Sequence, residues 1–226
     1  LTVTDPDNSD VVDTSITHLA VSGNHPGLSE SDLLAMFHIT AGGSGLAANT
    51  GDSHNLSWSF DSSSQAFNYL AEGETLTLTY TLTSSDGHGG TDSQDVVVVI
   101  TGTNDAPVTA ADTNAGNEDT TISGSVTGND DDVDSDDSAA SLTYALTGPA
   151  PAGLTFNGDG SYSLDASNAA YQHLAEGETT DVVVSYTATD SHGAVSNVST
   201  LTITVTGVND APVTAADTNA GNEDTT

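Results

Sequence analysis

The sequence contains no permanently cationic side chain. It has no Lys and no Arg, but it has 33 Asp and Glu residues, and its formal charge is −33 at pH 7. Without a basic patch, the chain cannot neutralise the phosphates of nucleic acid or an anionic membrane surface. We therefore expect no nucleic-acid partner. Because the carboxylates repel one another, we expect cations from solution to complete the fold.

Cysteine and long apolar runs are absent as well. Without Cys there are no disulfides and no thiol chemistry. No apolar run approaches the ~20 residues of a membrane helix, so we expect no membrane insertion. No signal-peptide pattern stands at the start, and any export signal is expected elsewhere in a longer protein. Neither a G-x-S-x-G elbow nor an ordered Ser-His-Asp arrangement occurs, and we predict that the protein is not an enzyme.

An internal repeat organises the chain. Residues 102–121 read GTNDAPVTAADTNAGNEDTT, and residues 207–226 repeat them with one substitution at an offset of 105 residues. A period of this length is the size of a whole domain. LAEGET at 70–75 also recurs at 174–179. We predict a first domain over 1–104, a second over 105–209, and the first strand of a following repeat over 210–226.

Short strands with polar turns between them predict an all-β fold. The strand patterns are LTLTYTLT at 76–83, DVVVVI at 95–100 and LTITVT at 201–206. Many such strands with Gly, Asp and Asn turns favour tandem antiparallel β-sandwiches. Pro107 and Pro212 follow a last strand and mark linkers, since Pro breaks strand pairing.

The two halves differ in an insertion and at their ends. An insertion of about twenty residues over 24–50 carries a capping-box-like start at Ser29, which predicts a helix over 30–38 followed by a flexible loop over 42–51. The first half lacks a counterpart of 106–128, while 211–226 repeat 106–121. Because unpaired sheet edges attract strands, we predict head-to-tail strand exchange through 211–226.

Clustered carboxylates indicate calcium as the cation. DDDVDSDD at 130–137 is the densest acidic cluster, and Asp5-Pro-Asp7 repeats its Asp-x-Asp spacing. Alternate carboxylates of an extended loop lie on one side, as a single hard ion requires. A disordered acidic loop is the alternative. Asn-Asp-Ala-Pro at 104–107 and 209–212 is either a turn that ends a strand or part of an ion site at a domain junction.

Histidine and aromatic residues have simpler interpretations. His88 and His192 lie in Gly-containing turns without the further ligands that zinc needs, so a turn role is favoured. Trp58 and Tyr162 hold equivalent positions, and packing is favoured over a sugar-binding platform.

The motifs resemble a known family. NGDGSYSLDASNAAYQHLAEGET at 157–179, then TDSHG and ITVTGVNDAP, resembles the VCBS or bacterial cadherin-like repeat of large RTX-type adhesins, as does HNLSWSFDSSSQAFNYLAEGET with SSDGHGGTD and ITGTNDAP. The resemblance covers about residues 54–104 and 117–209. It implies Ig/cadherin-like Greek-key sandwiches that act as extenders of surface proteins exported by type I secretion, with calcium stiffening the domain string.

The order of motifs is also similar to that of the cadherin repeat, in which such residues bind calcium at domain junctions. The resemblance implies calcium ligands in the first strand, the Asp-x-Asp loop, the acidic strand-end motif, the Asp-containing turn and the linker. In this order the residues are Glu118; Asp5, Asp7, Asp132 and Asp134; Glu72, Glu74, Glu176 and Glu178; Asp86 and Asp190; and Asn104, Asp105, Asn209 and Asp210. Either Glu of each Ala-Glu-Gly-Glu could be the ligand.

The function predicted from these features is that of a calcium-stabilised extender in a secreted bacterial adhesin, at the cell surface and in biofilms. Its partners would be neighbouring repeats of the same protein. One alternative is a glycan- or protein-binding domain that uses the 24–50 insertion. Another is an accessory module of a secreted polysaccharide-active enzyme.

Overall fold

The computed structural model describes residues 1–62, 66–220 and 223. The chain divides into two compact units. Unit 1 comprises Leu1–Pro107, Asp131–Leu142 and Thr189–Val195, and unit 2 comprises Val108–Asp130, Thr143–Ala188 and Ser196–Thr226. Two loops of the second sequence repeat are thus part of unit 1. The boundaries predicted at 104 and 209 follow the sequence repeat and stay a prediction.

Unit 1 contains five strands and one helix. The elements are β1 (Asp13–Ser22), α1 (Glu30–Ala35), β2 (Phe37–Ala41), β3 (Ser57–Phe60), β4 (Thr75–Ser85) and β5 (Thr91–Thr101). One antiparallel sheet has the order β1-β4-β5, and β2 pairs with β3 in a second. The alternation of β4 explains the core, because its apolar residues Leu76, Leu78, Tyr80 and Leu82 are buried while the Thr residues between them are not.

The insertion begins as predicted and ends differently. Ser29 caps α1 through a full capping box with Asp32, and Leu33 is fully buried in the core. The helix ends at Ala35, so its predicted extension to residue 38 is wrong. The reason is the alternation that starts at Phe37, which is buried and pairs with Phe60 across β2 and β3. Residues 42–51 form a loop, as predicted, but its predicted flexibility is not supported, because β-bridges join Leu46 to Val12 and Asn49 to Asp5 and Ala48 is buried.

Unit 2 contains the remaining seven strands. They are β6 (Asp112–Asn117), β7 (Thr121–Ser125), β8 (Thr143–Leu146), β9 (Leu154–Phe156), β10 (Ser161–Asp165), β11 (Thr179–Thr189) and β12 (Ser199–Thr206). One sheet has the order β7-β10-β9 and the other β6-β12-β11-β8. The pairs β7–β10, β10–β9 and β11–β12 are antiparallel, whereas β6 pairs with β12 in parallel from Leu201↔Asp112 to Thr206↔Asn117. The prediction of an all-β fold with antiparallel sheets is confirmed.

The strands β5 and β12 occupy equivalent positions in the sequence repeat, but they differ in their surroundings. Strand β12 lies between β6 and β11, and its Ile203 and Val205 are fully buried. Strand β5 pairs with β4 on one side, and among the described residues no strand pairs with its other side. The corresponding Val98 and Ile100 are only partly buried. No helix in the described part of the chain has the length and apolar character to cross a membrane.

Candidate metal centre

The Asp-x-Asp loop folds on its own side chains. The Oδ1 atom of Asp132 accepts a hydrogen bond from the N–H of Asp134 at 3.0 Å, and the carbonyl of Asp134 accepts one from the N–H of Asp137 at 3.2 Å. Asp readily forms such local side-chain turns. Hydrogen bonds within the loop therefore hold the Asp132 carboxylate and the Asp134 carbonyl.

The Asn-Asp pair that follows β5 contacts this loop within unit 1. The N–H of Asp105 donates to Oδ2 of Asp134 at 2.8 Å, and Nδ2 of Asn104 donates to Oδ2 of Asp190 at 3.0 Å. Four residues predicted as ligands of one junction site are thus connected by direct hydrogen bonds.

A second turn fixes Asp190. Its Oδ1 atom accepts hydrogen bonds from the N–H groups of His192 and Ala194, each at 2.9 Å. Burial opposes ionisation of this carboxyl, but the hydrogen bonds from Asn104, Ala194 and His192 outweigh that effect and hold its pKa below the ordinary Asp value. Asp190 is therefore held in its ionised, ligand-competent form.

The pKa values of Asp132 and Asp134 are shifted in the direction opposite to that of Asp190. They are 7% and 2% exposed. Burial raises the pKa of each, and the nearby carboxylates of Asp105, Asp136 and Asp137 raise it further. Buried carboxylates of this kind are costly unless a positive charge compensates them.

Three oxygens of this site are buried and have no hydrogen-bond partner among the described residues. They are Oδ1 of Asn104, Oδ2 of Asp132 and Oδ1 of Asp134. Carboxylate and amide oxygens are the ligands that calcium takes at 2.3–2.6 Å. Because the sequence contains no Lys or Arg to pair with them, these residues fit a hard divalent cation. We refer to Asn104, Asp105, Asp132, Asp134 and Asp190 as the loop cluster.

The two Glu residues of the first Ala-Glu-Gly-Glu differ in position. Oε2 of Glu74 accepts a hydrogen bond from the hydroxyl of Ser135 at 2.6 Å, next to Asp134. Glu72 is exposed. The carbonyl of Tyr69 also accepts a bond from the N–H of Ser135 at 2.9 Å. The structure thus brings Glu74 to the loop cluster and leaves Glu72 in solvent.

The first repeat contains the same arrangement. The Oδ1 atom of Asp5 accepts from the N–H of Asp7 at 2.8 Å, and Oδ1 of Asp86 accepts from the N–H groups of His88 and Gly90 at 2.7 and 2.9 Å. These turns repeat those of Asp132 and Asp190 atom for atom. None of these acids is fully buried, since no segment equivalent to 104–105 covers them in the described chain.

Acidic groups with closely spaced ligand atoms include residues outside the predicted set. Among the described residues, ligand atoms within 4.8 Å of one another are offered by Asp5, Asp10 and Asp86, and by Asp136, Asp137 and His192. The loop cluster itself is connected by hydrogen bonds and does not form such a group. Asp10 and Asp137 occupy matching positions in the repeat, which was the available signal for both. His192 keeps its turn role and also lies 4.0 Å from Asp136.

A further acidic residue is buried in unit 2. Glu118 is 1% exposed, its Oε1 atom accepts a hydrogen bond from the N–H of Val208 at 2.6 Å, and its Oε2 atom has no partner. Glu178 accepts from the N–H of Ala175 at 3.0 Å, as Glu74 does from Ala71 at 3.3 Å. The other predicted ligands of unit 2, Glu176, Asn209 and Asp210, are exposed.

Sequence reasoning missed a pair of acids in unit 2, of which Asp130 is buried and Asp112 is half-buried. Asp130 is 5% exposed, and its Oδ1 atom accepts from the N–H of Ala110 at 2.8 Å, while Oδ2 has no partner. The hydroxyl of Tyr186 donates to Oδ2 of Asp112 at 2.8 Å. Burial raises the pKa of both acids. The acidic run at 130–137 hid the burial of Asp130, because nothing in the sequence separates it from the neighbouring predicted ligands.

Residues 104–207 match the family model described as the bacterial cadherin-like domain. Cadherin-like domains are non-enzymatic adhesion modules. No curated protein sequence matches this chain.

Several solved structures are similar in outline. Mouse protocadherin-24 EC1-3 is 17% identical with a TM-score of 0.41 over 88% of this chain, which spans 59% of that protein's chain. Chicken VE-cadherin EC1-2 is 12% identical with a TM-score of 0.40, covering 92% of this chain and 88% of the other. Human mucin-like protocadherin EC1-2 is 17% identical with a TM-score of 0.46, covering 92% of both chains. Likeness of this degree carries no functional inference.

Proposed function

We propose that this chain is a calcium-stabilised extender segment of a secreted bacterial surface adhesin. The observation that carries the proposal is the set of three buried, unpartnered oxygens in the loop cluster of a chain without Lys or Arg. Each of these oxygens lacks a hydrogen-bond donor among the described residues, and calcium has the ligand preference that this set meets.

Calcium binding would replace repulsion among the carboxylates of the loop cluster with attraction to a shared cation. Without a cation, Asp132 and Asp134 repel each other and lose hydration. With calcium bound, the same charges attract one central ion. Residues 104–105, which follow β5, would then be tied to the loops 131–142 and 189–195 of the next sequence repeat. A flexible linker between repeats thereby becomes stiff.

In a longer protein, successive copies of this arrangement would extend the chain away from a cell surface. The VCBS-like motifs suggest an adhesin of the RTX type, exported by type I secretion and active in cell adhesion or biofilm formation. Neighbouring repeats are the partners that this function requires. Millimolar extracellular calcium suits the weak sites typical of extracellular modules.

No separate function is proposed for the insertion. Its Leu33 and Phe37 are part of the core of unit 1, where Phe37 stacks on Tyr80 with ring centroids 4.5 Å apart. Trp58, which is 38% exposed, stacks on Phe37 with ring centroids 5.1 Å apart. The insertion therefore serves the fold of unit 1.

Calcium titration of the chelator-treated protein tests the proposal. Trp58 is the only Trp of the sequence and lies in unit 1, so its fluorescence reports the unfolding of that unit. We expect calcium to raise the melting temperature of unit 1, and magnesium to do so much less, because magnesium demands a regular octahedral site. Small-angle scattering should show a narrower distribution of dimensions in calcium. An unchanged melting curve in calcium and in chelator would refute the proposal.

A further inference from the structure

We propose that residues 109–112, at the start of β6, form a strap that is closed while the carboxyl of Asp112 is protonated and loosens when it ionises. The strap belongs to unit 2 and contains no residue of the loop cluster. A proton site of this kind goes beyond both calcium binding and the extender role.

Side chains hold the backbone of the strap before β6 begins. Oδ1 of Asn197 accepts a hydrogen bond from the N–H of Thr109 at 3.1 Å, and Nδ2 of Asn197 donates to the carbonyl of Thr109 at 2.7 Å. Nδ2 of Asn129 donates to the carbonyl of Ala111 at 3.2 Å. Pairing with β12 starts at Asp112. Because individual polar contacts fix the strap, the loss of one contact changes how firmly it is held.

The two backbone groups of Ala110 are bound by side chains as well. Oδ1 of Asp130 accepts a hydrogen bond from the N–H of Ala110 at 2.8 Å. The hydroxyl oxygen of Tyr186 lies 2.7 Å from the carbonyl oxygen of Ala110 and 2.8 Å from Oδ2 of Asp112. Tyr186 is fully buried and Asp112 is half-buried. One buried hydroxyl thus lies at hydrogen-bond distance from two oxygens.

These two contacts need one proton more than Tyr186 supplies. A hydroxyl carries a single proton, and a backbone carbonyl carries none. If Asp112 is ionised, the hydroxyl of Tyr186 serves in full either the carboxylate or the carbonyl of Ala110. If Asp112 is protonated, its O–H donates to the oxygen of Tyr186, and the hydroxyl of Tyr186 donates to Ala110. The protonated form is therefore the one that fills both contacts.

The surroundings place this proton on Asp112. Burial raises the pKa of both Asp112 and Asp130, and their charges repel each other. Asp130 accepts the N–H of Ala110, which favours its ionised form, whereas the Tyr186 oxygen is placed to accept a proton from Asp112. Burial raises the pKa of Tyr144 to about 12, and it raises the pKa of Tyr186 as well. Both phenols therefore keep their own protons at neutral pH.

The strands beside the strap add no charge of their own. Strand β12, which places Leu201 opposite Asp112, contains no titratable residue, and neither does β7. The sequence has no Lys or Arg to compensate an ionised Asp112. Ionisation would thus put a second negative charge near Asp130 and draw the Tyr186 hydroxyl to it. The carbonyl of Ala110 then loses this bond, and the strap loosens there.

The direction of the pH dependence follows from the raised pKa of Asp112. Stability contributed by a carboxyl of this kind is fully present below the unfolded value of about 3.9, and it is lost as the pH rises through the folded value. The strap should therefore be closed at pH ~4 and looser at pH ~7.

Amide hydrogen exchange of the full chain measures the strap at these two pH values, in calcium and corrected for intrinsic exchange rates. Protection of amides 109–117 should be lower at pH ~7, by about tenfold for each unit by which folding raises the pKa of Asp112. Amides of β10, in the other sheet of unit 2, should change less. Asp112→Asn keeps a donor for Tyr186 and carries no charge, so its strap should be equally protected at both pH values.

A matched control and a direct titration complete the test. Asp119→Asn removes an exposed charge just beyond β6 and should keep the pH dependence of the parent. Carboxyl carbon-13 shifts of the parent chain should give Asp112 a pKa above the ordinary Asp value of about 3.9. This measurement needs no variant, so it tests the proton site even if Asp112→Asn folds poorly.

Three results would overturn the proposal. The first is an Asp112 carboxyl that titrates at the ordinary Asp value. The second is a pH dependence that Asp112→Asn leaves unchanged, which would assign it to another group. The third is a strap less protected in Asp112→Asn than in the parent at pH ~7, which would show that the ionised carboxylate holds it. Because the loop cluster and its calcium are left intact, none of these results bears on the proposed function.

Discussion

Replacing Asp134 by Asn should change the stability of unit 1 in opposite directions with and without calcium. Asp134 is 2% exposed, and Asp132, Asp105 and Asp136 raise its pKa through their charges, in addition to burial. Asn has nearly the same shape and keeps an oxygen that can accept the hydrogen bond from the N–H of Asp105. The substitution therefore removes one buried charge and little else.

The expected magnitude follows from the two charge environments. Two unit charges ~6 Å apart at an effective dielectric constant of ~20 repel by about 3 kcal/mol, and solvent screening reduces this value. We expect the variant to gain about 1 kcal/mol in chelator. At calcium about 100 times the Kd, binding stabilises the parent by about 2.7 kcal/mol. A variant with ~100-fold weaker binding gains only about 0.4 kcal/mol there, so it becomes about 1 kcal/mol less stable than the parent.

Thermal unfolding followed by Trp58 fluorescence measures this inversion in unit 1. Differences of about 1 kcal/mol correspond to shifts of about 2–4 °C in melting temperature for a chain of this length. The control is Asp131→Asn, which makes the same chemical change at an exposed residue of the same acidic run. It should shift the melting temperature little in either condition.

Two results would refute this reasoning. If Asp134→Asn destabilises unit 1 equally in chelator and in calcium, the side chain has only a structural role. If the Asp131→Asn control inverts in the same way, general charge reduction explains the effect.

Three further predictions concern pH, the strand-end Glu pair and a linker Gly. In chelator, burial raises the pKa values of Asp132 and Asp134, so the stability contributed by their protonated forms is present below the ordinary Asp value of about 3.9 and is lost as the pH rises; unit 1 should melt lower at pH ~7 than at pH ~4.5, and in calcium this trend should weaken or reverse. Glu74→Gln should reduce the calcium-induced rise in melting temperature more than Glu72→Gln, and equal effects would contradict the position of Glu74 beside Ser135. Gly102→Ala should lower the free energy of unfolding by about 1–3 kcal/mol in denaturant titrations, because its Cβ would clash with the carbonyl oxygens of Ala71 and Leu70, whereas the Cβ of Gly128→Ala meets nothing within 4 Å and that variant should be near neutral.

Most of the fold was predictable because its signals are local. Alternation in β4 and β12 and the Ser29 capping box each lie within one segment, and each gave the correct element type. The end of α1 was not predictable in the same way. The sequence pattern around Phe37 fits both a helix and a strand. Its pairing with Phe60 in the folded chain places it in a strand.

The candidate site was predictable where a repeat supported it. The contacts of Asn104, Asp105, Asp134 and Asp190 join residues that the aligned motifs had already selected. Burial was not predictable, since Asp130 and Asp131 are adjacent letters with opposite exposures. Distance between segments, such as that from Glu74 to Ser135, depends on tertiary packing and has no sequence signature.

The parallel pairing of β6 with β12 has a mechanical consequence for unit 2. The chain enters this sheet through β6 and leaves it through β12, and the two strands run in the same direction side by side. Tension applied along the chain therefore pulls the two strands past each other. The ladder hydrogen bonds between them are loaded together in shear, whereas a hairpin pulled from its open end would lose them one at a time. A first and last strand joined in this way give unit 2 a mechanical clamp.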